Sequence, residues 1–192
     1  ATRNNELYLT SVNYYYDYYL AADQSGIRRE LLVLLIEKLI ELQEAYRESG
    51  SRRIGYFYFL LGMEYYLNIE EFRMCIQTSE SLLNLINDSP HLFGRQLRGI
   101  VLKDMAINVQ YIFDFEASLA YSQEAQRCFL GIRTNHNFAT EVEVTALFYL
   151  NDFAEALVVL NCLIDNTDSN TDTFLHSKRT YLKAYTLFAQ GE

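Results

Sequence analysis

The sequence predicts an all-α protein built from antiparallel helical hairpins, on three grounds. Chain punctuation is scarce, with one proline and eight glycines in 192 residues, whereas an all-β chain of this length would need turn signals throughout. Apolar residues recur at helical spacing, most plainly where Ile27, Leu31, Leu34, Leu35, Ile36, Leu39, Ile40 and Leu42 are interleaved with Arg28, Arg29, Glu30, Glu37, Lys38, Glu41 and Glu44. The breaks between such runs are short, as at Asn68-Ile69-Glu70, Phe113-Asp114 and Asn151-Asp152, and a connection of two or three residues makes successive helices double back on each other.

In chain order the pattern places helices at about 4–22, 27–48, 52–67, 70–87, 92–112, 114–130, 137–150, 153–166 and 173–189, with no strand needed anywhere. The second of these should stop at Glu48-Ser49-Gly50, where glycine supplies a left-handed end. The longest polar stretch, Asp165 to Asp172, reads as a loop whose last residues, Thr171 or Asp172, cap the final helix. The length suits one continuous domain, composed of an N-terminal helical hairpin over 1–51 followed by repeated hairpins over 52–192.

Charge and composition narrow the function. The formal net charge is -9, from 25 acidic and 16 basic residues, so this segment lacks the basic stripe that gripping a phosphate backbone would require, and no direct nucleic-acid contact is expected. No run reaches about 18 uninterrupted apolar residues, the length of a membrane span, and the N-terminus lacks the basic start and apolar stretch of a signal peptide. A cytoplasmic protein is expected. Cys75, Cys128 and Cys162 are odd in number and far apart, which suggests neither a disulfide framework nor a zinc site; all three read as reduced, buried, small apolar residues.

Repeats appear when the hairpins are aligned on their turns. Tyr58, Leu61, Gly62 and Tyr65 place an aromatic, then Leu-Gly three and four positions on, then a tyrosine three later; Leu102, Met105, Ala106 and Val109 keep that spacing, with Phe115 and Ser118 following in the next helix. Asn151-Asp152-Phe153-Ala154-Glu155-Ala156 repeats the turn, and Ala184 to Glu192 again looks like a first helix running into a Gly-acidic turn. Over residues 52–192 the chain therefore resembles the tetratricopeptide repeats, lengthened to nearly 40 residues per repeat as judged by the small residues Gly62, Ala106 and Ala184. The resemblance implies hairpins stacked as a right-handed superhelix, an α-α solenoid, that binds partners on its concave face. Because Gly191-Glu192 sits at the turn after a first helix, the last hairpin reads as truncated. The apolar side of that helix should then be covered by further chain or by a second copy in a homodimer.

No nucleophile elbow, zinc-protease motif, phosphate-binding loop or dinucleotide fingerprint occurs. His91, His136 and His176 each stand without a carboxylate or cysteine at metal-ligand spacing, so they read as surface or capping residues. Glu141 and Glu143 read as a solvated helix face. No catalytic residue, cofactor or metal is expected. The tyrosines are another matter: Tyr14, Tyr15, Tyr16, Tyr18 and Tyr19 crowd one helix, and Tyr56 to Phe59 with Tyr65 and Tyr66 crowd another. A helix aromatic on every side must be sandwiched by neighbours or present rings to a partner.

What the resemblance implies for the inner face is a set of first-helix positions: Phe57, Leu60 and Glu64, then Lys103, Ile107 and Gln110, then Glu141, Thr145 and Phe148, and finally Lys178, Tyr181 and Tyr185. That lining is mixed and aromatic, without the basic cluster that holds a peptide's terminal carboxylate, and suits an extended or helical segment with apolar anchors. The expected function is a protein- or peptide-binding scaffold; the alternative is the sensor or effector domain of a larger bacterial-type transcriptional or signalling regulator.

Overall fold

The computed structural model describes residues 28–166 and 173–191. The helix expected over 4–22 with its tyrosines Tyr14 to Tyr19, and the capping candidates Thr171 and Asp172, lie outside those residues. Within them the chain is all-helical: α1 (Arg28–Ser49), α2 (Arg52–Asn68), α3 (Phe72–Asn87), α4 (Arg95–Gln110), α5 (Phe115–Cys128), α6 (Arg133–Tyr149), α7 (Phe153–Asp165) and α8 (Thr173–Gln190). No strand occurs among the described residues.

Three of the turns share one form. Glu70, Phe113 and Asn151 sit in the left-handed region with φ of 62°, 63° and 62°. In each turn the left-handed residue donates its N–H to the carbonyl three back, and the next residue donates to the carbonyl five back: Glu71 to Tyr66 at 2.9 Å, Asp114 to Val109 at 3.1 Å, Asp152 to Leu147 at 2.9 Å. These are the closing bonds of a Schellman motif, which satisfies carbonyls that a helix end would otherwise orphan. The acidic residue then opens the next helix. The carboxylates of Asp114 and Asp152 accept from the N–H groups of Ala117 at 3.0 Å and Glu155 at 3.3 Å, capping α5 and α7 and meeting the positive end of each helix dipole. A phenylalanine follows every time, at Phe72, Phe115 and Phe153.

The left-handed residues are 43 and 38 residues apart, and Gly191, φ 92°, stands 40 beyond Asn151 at the end of α8. A period near 40 is therefore visible in backbone geometry. Aligned on these turns, Gly62 corresponds to Met105 and Glu143, while Ala106 corresponds to Met63, Val144 and Ala184. Of the three small residues picked out by sequence, Ala106 and Ala184 are equivalent and Gly62 is one position off.

Contacts divide the chain into two compact units, residues 1–94 and 95–192. In the first, α2 packs between α1 and α3 over Leu35, Leu42, Leu61, Leu82 and Ile86, all almost fully buried. The crowded aromatics of α2 separate by direction. Phe57 is buried, Tyr58 and Phe59 meet Tyr46 of α1 at 6.3 and 5.9 Å, and Tyr56 stacks on Phe93 at 5.3 Å.

In the second unit each helix from α4 to α8 packs on the next, and α4 also touches α6. Helix α5 can lie close to its neighbours because its buried face is made of Ser118, Ser122, Ala125 and Cys128. Phe129, fully buried, ends that face and lies against Gly99 of α4. The core continues through Val101, Leu102, Met105 and Leu160.

Two expectations need correction. Helix α6 begins at Arg133 rather than near 137: Gly131, φ 88°, makes the turn by itself and the Ile132 carbonyl accepts from His136 N at 3.0 Å, so the polar Thr134-Asn135-His136 run is the first helical turn and not a loop. Of the cysteines, Cys75 and Cys128 are buried, but Cys162 is exposed on α7.

A β-carbon on Gly99 would stand 2.8 Å from both Cys128 Cβ and Phe129 Cε1. Gly99→Ala is expected to lower unfolding free energy in urea by about 1–3 kcal/mol through overpacking. Gly94→Ala, where nothing lies within 4 Å, should change it by less than about 0.5 kcal/mol.

Candidate functional site

The residues expected on an inner face divide by unit. Phe57 and Glu64 belong to residues 1–94. Phe57 is buried, its ring edge-on to Tyr56 at 5.2 Å, and Glu64 is partly buried on the same helix. Seven of the remaining positions, Lys103, Gln110, Glu141, Phe148, Lys178, Tyr181 and Tyr185, lie on the first helices α4, α6 and α8 of residues 95–192.

Several of these seven fasten the helices to one another. Lys103 of α4 lies 5.9 Å above the Phe138 ring of α6 and pairs with Asp104 at 2.9 Å. Asp104 keeps 31% of its side-chain surface, yet enough protein surrounds the carboxyl that desolvation raises its pKa above the ordinary carboxylate value, with Lys103 pulling the other way. Gln110 donates to Ser118 Oγ at 2.8 Å and to the Val142 carbonyl at 3.4 Å, joining α4, α5 and α6.

Glu141 is not solvated, contrary to the reading from sequence. It is 9% exposed and takes Arg179 Nη2 at 2.6 Å and Nε at 2.9 Å on Oε1, and Lys178 Nζ at 3.0 Å on Oε2. Arg179, 2% exposed, also reaches the Leu163 carbonyl of α7 at 3.5 Å. One arginine thus ties together α6, α7 and α8, and the planar guanidinium suits it for presenting several donors from a buried position.

Two turns further along the same helices, Phe148 of α6 stacks on Tyr185 of α8 at 5.3 Å and 25°. The 141–179 and 148–185 contacts advance in the same sense, so α6 and α8 run parallel. Above them the surface is aromatic. Tyr149 stacks on Phe115 at 4.5 Å and 13°, and Phe148 meets Phe153 edge-on at 5.4 Å. On α8, Tyr181, Tyr185 and Phe188 follow at spacings of four and three, which places them on one face. They are 70%, 50% and 77% exposed.

The solvent-exposed aromatic part of the expected inner face therefore contracts to Tyr181 and Tyr185 over Phe148. Phe188 and Tyr149, not among the expected inner-face positions, are exposed as well. The turn alignment could have found them: Phe188 lies three residues before Gly191 as Phe148 does before Asn151, and Tyr149 directly follows Phe148.

Two clefts occupy equivalent places in the repeat, one in each unit. The first, about 380 Å³, is floored by α2 between α1 and α3 and is lined by Ile36, Ile40, Tyr58, Gly62, Tyr66 and Met74 among others, none of them charged. Burial pushes the Tyr58 phenol above its ordinary pKa, and the neighbouring Tyr66 adds to this while a hydrogen bond with Gln43 offsets part of it. The second, about 270 Å³, is floored by α6 between α5 and α7 and has Glu143 where the first has Gly62. Glu143 is 8% exposed, again against the expectation of a solvated face. His136, partly buried, lines this second cleft. His91 is exposed, and His176 Nδ1 is buried without a hydrogen-bond partner among the described residues.

Arg179→Leu strands the Glu141 carboxylate with Lys178 alone and is expected to cost about 3 kcal/mol in urea unfolding, whereas Glu141→Leu combined with Arg179→Leu should recover most of that loss. Equal destabilisation by the single and double variants would mean that packing, not charge, holds α8 in place. No protein-family model matches this chain, and no curated protein matches it either.

Proposed function

We propose that this chain is a protein- or peptide-binding scaffold of the tetratricopeptide-like kind, with its recognition surface on the first-helix face of residues 95–192. The observation that carries this reading is the exposed aromatic row on α8, where Tyr181, Tyr185 and Phe188 each show half or more of their surface to solvent. Exposed rings gathered on one face are unusual for surface that meets only water. Tyrosine in particular offers large contact area at small entropic cost, with a hydroxyl to satisfy at the rim.

Support comes also from the way the row is held. Phe148 stacks beneath Tyr185, and the Glu141–Arg179 pair anchors α8 to α6 two turns away. A ring with its orientation already set loses less entropy on binding. The surrounding first-helix groups, Lys103, Gln110 and Glu141, are occupied by contacts inside the protein, so affinity would come from apolar anchors of a helical or extended peptide and not from recognition of a terminal carboxylate.

Peptide ligands selected by phage display against the chain, titrated calorimetrically, test this. Tyr181→Ala with Phe188→Ala, two well-exposed positions that should leave helicity unchanged by circular dichroism, is expected to weaken a selected peptide about tenfold or more. Undiminished binding by the double variant would place recognition elsewhere and sink the proposal.

A further inference from the structure

The cleft floored by α6 has a chemical character that the scaffold reading does not use. Glu143 lies along it with its side chain almost completely buried. Its two oxygens accept one bond each from neutral amides of α5, Gln123 Nε2 at 2.8 Å and Gln126 Nε2 at 2.7 Å. Among the described residues no lysine, arginine or histidine pairs with it, in contrast to Glu141 two positions earlier, which holds two cations. Amide hydrogen bonds offset part of the cost of burying a carboxylate, but a buried charge is best compensated by an opposite one.

Packing does not require an acid here. The equivalent floor position in the cleft of residues 28–94 is Gly62, and no lining residue of that cleft is charged. Three other polar side chains of the Glu143 cleft each commit a hydrogen within the protein. Gln126 donates to Glu143, Thr140 Oγ1 donates to the His136 carbonyl at 2.8 Å, and Asn166 Nδ2 donates to the Cys162 carbonyl at 2.8 Å. Their amide and hydroxyl oxygens remain as acceptors, and His136 and Asn137 complete the polar lining. Val158, Val159 and Leu163 make an apolar wall beside them.

A carboxylate lacking a cation, surplus acceptors and an aliphatic wall in a cleft of about 270 Å³ describe the complement of a donor-rich cation on a hydrocarbon stem. We propose that this cleft binds a primary ammonium or guanidinium group carried on an aliphatic chain, with Glu143 as the charge partner and α7 as the wall for the stem. The net charge of -9 favours approach of such a cation from solution. The site stands apart from the aromatic row on α8 and does not depend on it.

The test is a titration of the isotopically labelled protein with n-butylammonium and n-propylguanidinium, followed by amide and methyl NMR shifts, with 1-butanol as the neutral match. Saturable shifts confined to Gln126, Thr140, Val158, Val159 and Leu163 are expected for the cations and not for the alcohol. Glu143→Gln should weaken them about tenfold or more, in keeping with the loss of a charge-assisted hydrogen bond. Glu116→Gln, an exposed acid on α5, should leave them unchanged.

A blocked Gly-Lys-Gly tripeptide producing the same shifts would assign the cation to a protein side chain, and its exclusion would assign it to a free amine. Equal shifts from 1-butanol, or no localised shifts from either cation, overturn the proposal on the wild-type protein alone, whether or not Glu143→Gln folds. Loss of the aromatic row through Tyr181→Ala and Phe188→Ala should leave the cation shifts intact, so this site and the peptide surface fail or stand separately.

Discussion

The three-residue reversal at Glu70, Phe113 and Asn151 is the constraint on which the helical arrangement rests. A left-handed residue ends one helix, an acidic residue opens the next and a phenylalanine starts it, leaving no slack in the connection. With so short a link the two helices can only pack side by side and antiparallel. The left-handed residue carries a side chain in all three cases, a conformation that costs a non-glycine residue about 1–2 kcal/mol. The paired Schellman bonds and the aspartate caps at two of the three turns offset that cost, and Phe113 keeps the conformation even though most of its ring is in water.

Given hairpins of that kind, what distinguishes residues 95–192 is where polar groups are buried. Glu141 and Glu143 lie two apart on α6, a separation of about 200° around a helix, so they face different neighbours. One meets Arg179 and Lys178 of α8 and becomes a structural tie. The other meets two glutamines of α5 beside a cleft. The same residue type thus locks helices together on one side of α6 and lines a cleft on the other. Both outcomes rest on the low effective dielectric of the interior, which strengthens a satisfied charge contact and penalises an unsatisfied one.

The aromatic residues follow a similar division. Phe129, fully buried, and Phe148, half-buried, serve packing, while Tyr181, Tyr185 and Phe188 stand outside. Stacking of Tyr185 on Phe148 joins the two sets, so that the exposed row inherits its position from the core beneath it. Packing and display are carried by the same short stretch of α6, between Glu141 and Tyr149.

The amino-acid sequence alone determined that the chain is helical, where most helices begin and end, and that the hairpins recur about every 40 residues. These properties follow from local rules: apolar spacing along one helix, glycine and aspartate at its ends, and the shortness of the turns. It also singled out Tyr181 and Tyr185. It could not show that Phe57, Glu141 and Glu143 are buried, that Cys162 is exposed, or that Gly62 and Glu143 occupy the same place in the repeat. A glutamate on a helix reads as solvated until a second helix covers it, and whether that helix brings an arginine, as α8 does to Glu141, or only glutamines, as α5 does to Glu143, depends on residues nearly 40 and about 20 positions away. Helical periodicity reports one helix at a time, so the choice among neighbours falls to tertiary packing.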